Sequence, residues 1–284
     1  MVSLYAVALA IAAANAAPPS IPPAIYTDPA PDAAHPARME VLHIPSGGVA
    51  INAIAYVPTG AGPHPVLVLC HGWPGNEKNL DLAQAVRRAG WIVVTFNYRG
   101  SWGSPGTFSF AHNPEDAAAV IAWLRHPAHA AMLGADAARI AIAGHSMGAW
   151  VSAKTIAHDS RLLGAALISL GDVGVIGKTP RADLLKLIDD NAETLVTTRE
   201  AEAKEFADDA DKNMTVPDAA AIAKRPLFVL TADDGLAPMD DALAAAVRKA
   251  GGTVTTFHAA TDHSWSDHRI ALEAAIIDWL GTLR

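Results

Sequence analysis

Apolar and polar positions along this chain switch repeatedly between a period of two and a period of three to four, the mark of strands alternating with helices. Val41-Leu42-His43-Ile44 and Ile51-Asn52-Ala53-Ile54-Ala55-Tyr56-Val57 flank the turn Pro45-Ser46-Gly47-Gly48 and predict an opening antiparallel hairpin. Short apolar runs of buried-strand length follow at Val66 to Cys70, Trp91 to Phe96, Arg139 to Ala143, Ala165 to Leu170 and Leu227 to Thr231, with a last strand from Thr253. Helical patterns separate them at Leu80 to Ala89, Pro114 to Arg125 and Ala149 to Ala157, and an amphipathic helix starts near Asp267. This order predicts an α/β fold on a mostly parallel sheet.

The alternation breaks over residues 171–225. Thr179-Pro180 opens one helix there, with Leu184, Leu187 and Ile188 on a single face, and Thr197 with Glu200 forms a capping box for a second, charged helix. Inserted after the sixth strand, this segment is expected to lie as a helical cap above the turn that ends the fifth. At the other end, Leu4 to Ala14 is an apolar run too short to span a bilayer, and Ala14-Asn15-Ala16 offers small residues for cleavage. Residues 1–16 therefore read as a signal peptide, although no Lys or Arg precedes Arg38. Residues 17–38 form a Pro-rich leader expected to be extended and without helix. One domain then fills 39–284. A periplasmic or secreted location follows, or a cytoplasmic one if the N-terminal segment is no signal peptide.

Composition narrows the function classes. The chain is 51% hydrophobic and 18% charged, enough for a large core. Its net charge of −8, without a Lys/Arg stripe, argues against nucleic acid. The single Cys70 rules out an internal disulfide and fits a small buried filler. Neither H-E-x-x-H nor paired Cys/His spacing occurs among the 12 histidines, so no metal and no cofactor is expected. Length and composition leave the oligomeric state open.

The chemistry concentrates at Gly144-His145-Ser146-Met147-Gly148, which sits between a strand pattern and a helix pattern. A nucleophilic serine on so sharp a strand-to-helix turn needs small neighbours, because the chain folds back closely there. Upstream, His71-Gly72-Trp73-Pro74-Gly75 follows a buried strand; its bend can aim the Trp73 N–H at an oxyanion, with the N–H of Met147 as second donor. Downstream, a strand runs into Asp233-Asp234. Either carboxylate can orient an imidazole while its neighbour caps the next helix, and Asp234 is favoured because a proline follows at the usual distance, Pro238. His263 lies in the loop after the last strand; His258 is still in the strand pattern, and His268 falls in the first turn of the final helix. Tyr98, Arg99, Trp102 and Ser104 follow another strand end and, with His71, either line the pocket or, in the case of Arg99, tie the loop down.

With these motifs and Asn97-Tyr98-Arg99-Gly100-Ser101-Trp102-Gly103-Ser104, the chain from about Met39 to Arg284 resembles the α/β-hydrolase superfamily. It is most similar to the bacterial branch of serine aminopeptidases, dienelactone hydrolases and prolyl oligopeptidase catalytic domains. It departs from that branch at Ala149, where a second glycine is common, and carries no β-propeller. The resemblance implies an eight-stranded-type sheet with a helical cap. It also implies a serine hydrolase with Ser146 as nucleophile, His263 as base and Asp234 as acid, acting on a small ester or a short peptide through an acyl-enzyme. The Trp73 and Trp102 positions lean toward an acyl or aromatic group of modest size. A catalytically silent binding module on the same fold is disfavoured because every triad position is filled.

Overall fold

In the computed structural model, residues 21–191 and 194–283 are described. The segment read above as a signal peptide and the start of the Pro-rich leader lie outside them. Eight strands form one sheet: β1 (Arg38–Ser46), β2 (Val49–Val57), β3 (His64–Cys70), β4 (Ile92–Phe96), β5 (Ala135–His145), β6 (Ala165–Ile168), β7 (Leu227–Ala232) and β8 (Val254–Ala259). Their order is β1-β2-β4-β3-β5-β6-β7-β8, with β2 antiparallel to both neighbours and every other pairing parallel.

The hairpin turns on Gly47 and Gly48, both at positive φ, which matches the twist of the two strands it joins. Pro45 belongs to β1, an edge strand, where a missing N–H costs no ladder bond. In β3 the period-two pattern divides the core: Val66, Val68 and Cys70 face one helical layer, Leu67 and Leu69 the other. The first layer holds α2 (His112–Arg125), α4 (Met147–His158) and α10 (Ala237–Lys249); the second holds α1 (Leu80–Arg88) and α11 (Arg269–Thr282). Burial pushes the Cys70 thiol up to about 12, so it stays a neutral packing group.

Some boundaries differ from the sequence reading. A short helix, α3 (Pro127–Leu133), follows α2; its proline at the first helical position hides it from periodicity. A single 3₁₀ turn at Pro23–Ile25 interrupts the leader, held by Arg88, whose side chain donates to the carbonyls of Ala24 and Ile25. His268 precedes α11 as its N-cap residue and is not inside the helix.

Residues 171–225 fold as α5 (Val173–Ile176), α6 (Arg181–Asp189), α7 (Arg199–Asp208), α8 (Ala210–Asn213) and α9 (Ala219–Ile222). The cap of α7 is Thr198, whose hydroxyl accepts from Ala201 N–H, and not Thr197. On α6, Leu184 and Ile188 are buried while Leu187 is 36% exposed, so the inward stripe is narrower than the sequence suggested. Leu184, Ile188, Ala203 and Phe206 join the same core as α2 and α4, so the insertion is packed onto the domain and not a solvated appendage. Asp172 fastens its base, accepting from the N–H groups of Gly174, Val175 and Thr215 and from the Thr215 hydroxyl. No described helix is long and apolar enough to cross a membrane.

Candidate active site

Ser146 ends β5 and opens α4 with φ 59° and ψ −123°, a conformation that L-residues rarely adopt. Its backbone is locked on both sides, because Ser146 N–H donates to Ile168 and its carbonyl accepts from Ala149 and Gly171. Strain of this kind persists only where neighbours over-determine it. The flanking glycines serve space and not φ: a Cβ on Gly144 would lie 2.0 Å from the Gly148 carbonyl oxygen, and one on Gly148 would lie 2.1 Å from that of Cys70. Gly72 and Gly171 crowd the hydroxyl itself, with added Cβ atoms 3.6 Å and 3.3 Å from Ser146 Oγ.

The loops after β7 and β8 meet beside it. His263 Nδ1 lies 2.8 Å from Asp234 Oδ2, and the Asp234 side chain is 2% exposed. Burial would raise the Asp234 carboxyl, but the bonds from His263, the Leu236 N–H and Ser169 outweigh it and hold the group below its usual range. Asp233 is 64% exposed and pairs with His258 across the ends of β7 and β8. His268 pairs with its neighbour Asp267. The geometry thus separates two carboxylates that the sequence left in competition, and one residue both faces the imidazole and tethers the start of the next helix.

Ser146 Oγ makes no hydrogen bond to His263 among the described residues. The two chain segments are linked instead through His145, whose Nε2 is 2.7 Å from the His263 carbonyl oxygen and whose ring stands 4.6 Å from that of His263. The carbonyl accepts, so His145 Nε2 carries the proton. Burial pushes the pKa of His145 down to about 3, with the neighbouring His263 acting in the same direction. Asp240, on α10, receives Leu170 N–H in both carboxylate oxygens and steadies the turn that carries Gly171; burial pushes it up to about 8. Ser169 and Asp240 have no motif, and His145 fills a variable position of the serine motif, so sequence reasoning assigned none of them a role. Their signal is burial of a polar side chain, which only the assembled sheet supplies.

Met147 N–H opens α4, where first-turn amides have no intrahelical partner. Trp73 is half-buried, its ring packed edge-on against Phe110 and Phe206 of the insertion. Glu202 of α7, 2% exposed, lies beside it. The other sequence-named residues support loops. Tyr98 is fully buried and donates to the His71 carbonyl, so it offers a substrate no surface. His71 is itself 3% exposed, and Trp102 donates to the Pro74 carbonyl. Arg99 is tied to Asp116 and Glu115.

Residues 47–280 match the family of the X-Pro dipeptidyl-peptidases (S15 family). The chain belongs to that family. An uncharacterized 31.7 kDa protein of Escherichia coli is 32% identical over 162 residues, 53% of this chain and 54% of its own. The chain thus spans about half the length of the curated relatives it matches. Among solved structures, an esterase of Pyrobaculum calidifontis superposes with a TM-score of 0.68 at 20% identity, over 87% of this chain and 86% of its own. A puromycin-hydrolyzing peptidase of Mycobacterium tuberculosis gives 0.65 at 20% identity, over 89% and 40%. These likenesses establish the α/β-hydrolase fold for this S15-family chain.

Proposed function

We propose that this protein is a serine hydrolase that cleaves a carboxylic ester, or an amide, through an acyl-enzyme formed on Ser146. The observation that carries the reading is the His263 to Asp234 contact of 2.8 Å at the mouth of the strained Ser146 turn. In this reading Ser146 attacks the carbonyl carbon while His263 takes the hydroxyl proton at Nε2. Asp234 fixes the imidazole tautomer through Nδ1 and stabilises the cation that forms. The N–H groups of Trp73 and Met147 receive the oxyanion, each donor worth about 10²–10³ in turnover. His263 returns the proton to the leaving group, and water then releases the acyl group by the same route. The insertion at 171–225 backs the Trp73 loop through Phe206, whose buried ring packs on that of Trp73.

A peptidase reading rests on the S15 match over residues 47–280 and uses the same apparatus. Parallel assays on p-nitrophenyl acyl esters and aminoacyl-p-nitroanilides test the order. The ester reading expects kcat/KM to favour the esters by at least tenfold; a preference for the anilides reverses it. Activity that survives Ser146→Ala overturns both.

A further inference from the structure

We propose that the cavity between the β1–β2 hairpin and the segment leading into α1 binds a small carboxylic acid with an apolar body, its carboxylate seated on Lys78. The cavity holds about 280 Å³, near the lower end of small-molecule sites. Val41, Ile54, Leu80 and Phe96 give it apolar walls, with Lys78 and His71 as polar groups. Val41 is 64% exposed and Leu80 43%, so large apolar side chains stand uncovered at its edge.

The ammonium defines the ligand's charge. Lys78 Nζ donates to Asn97 Oδ1 at 3.0 Å and stands 4.1 Å over the Trp102 ring, and no carboxylate pairs with it among the described residues. Burial already depresses its pKa. A half-buried cation with donors to spare, beside an apolar cavity and in a chain of net charge −8, is a site awaiting an anion with a greasy tail. His71 Nδ1 donates to the Gly72 carbonyl at 2.7 Å, which leaves Nε2 as an acceptor, and that buried atom has no partner among the described residues. Burial, with a further push from Lys78, lowers His71 to about 4, so the ring stays neutral.

Ser146, Asp234 and His263 do not line this cavity. It lies behind the 71–75 loop, whose Gly72 backs onto Ser146 on the other side. Lys78 also sits on the Trp102 ring that clamps Pro74, so occupancy reaches the loop bearing Trp73. That effect on turnover rests on the function proposed above; the binding does not.

Titration of octanoate into the Ser146→Ala protein by calorimetry separates the two. The expected result is one saturable site with a Kd of about 1 mM or tighter, the range that ten non-hydrogen atoms allow. Octanol binds at least tenfold more weakly, and Lys78→Gln weakens octanoate by about tenfold or more, the loss of a charge-assisted contact. Val41→Trp, a change at an exposed position, blocks the mouth and abolishes binding in a protein whose circular dichroism is unaltered. Absence of saturable binding, undiminished binding to Lys78→Gln, or octanoate displaced by a covalent Ser146 phosphonate on the wild-type chain would each overturn the proposal.

Discussion

Two adjacent carboxylates with opposite surroundings make the sharpest residue-scale test. Asp234 is buried against His263, whereas Asp233 reaches into solvent toward His258. Asp234→Asn is expected to lower kcat by about 10⁴, because an amide holds the imidazole in the wrong tautomer. Asp233→Asn should change kcat less than about threefold, as a solvated pair contributes little. Steady-state kinetics on one ester substrate decides between them. Gly148 offers a second test: its substitution by Ala drives a methyl into the Cys70 carbonyl, a backbone atom that cannot swing away. A loss of roughly 1–3 kcal/mol in denaturant unfolding is expected. The G-x-S-x-G spacing was legible because its cause is local crowding. The choice between Asp233 and Asp234 was legible only as a preference for Asp234 from the Pro238 spacing, since burial is decided by chain segments that the sequence does not juxtapose.

Among the elements, α7 packs against the Trp73 loop that the proposed mechanism uses. The Phe206 ring centre lies 5.7 Å from that of Trp73 and 4.3 Å from that of Phe110, so it fills the space beside the Trp73 loop. Phe206→Ala should shift preference toward longer acyl chains in an ester series, at a cost of about 3 kcal/mol in stability. One turn earlier, Glu202 is buried beside Trp73, and burial pushes it up to about 7 from 4.5. The folded chain therefore holds this proton more tightly than the unfolded chain. The associated stability is fully present below about 4.5 and is lost as pH rises through about 7. Glu202→Gln is expected to gain on the order of 2–3 kcal/mol over the wild type at pH 8 and almost nothing at pH 4, read from unfolding curves at the two pH values. Periodicity found α6 and α7 but misassigned the cap by one residue, Thr197 for Thr198, because either hydroxyl suits an N-cap until the backbone chooses. It passed over the four-residue helices α5, α8 and α9, which are too short to show a period and exist through packing.

For the molecule as a whole, acid is the weak side of the two buried histidines. His71 and His145 are lowered to about 4 and about 3, mainly by burial, against 6.5 in the unfolded chain. Each leaves stability intact above 6.5 and subtracts from it as pH falls toward its folded value. His145→Gln, which keeps a donor for the His263 carbonyl, should flatten the decline in thermal midpoint between pH 6.5 and 4 relative to the wild type. What the sequence determined by itself is everything with a local cause: the alternation of strand and helix, the glycine-flanked serine turn, the Gly47-Gly48 hairpin turn and the place where the alternation breaks. Only the tertiary structure decided which carboxylate meets His263, that Tyr98 and His71 turn inward, and that Lys78 has no carboxylate counter-ion among the described residues. Burial and pairing depend on residues far apart in the chain, and period and propensity carry no record of which of them meet.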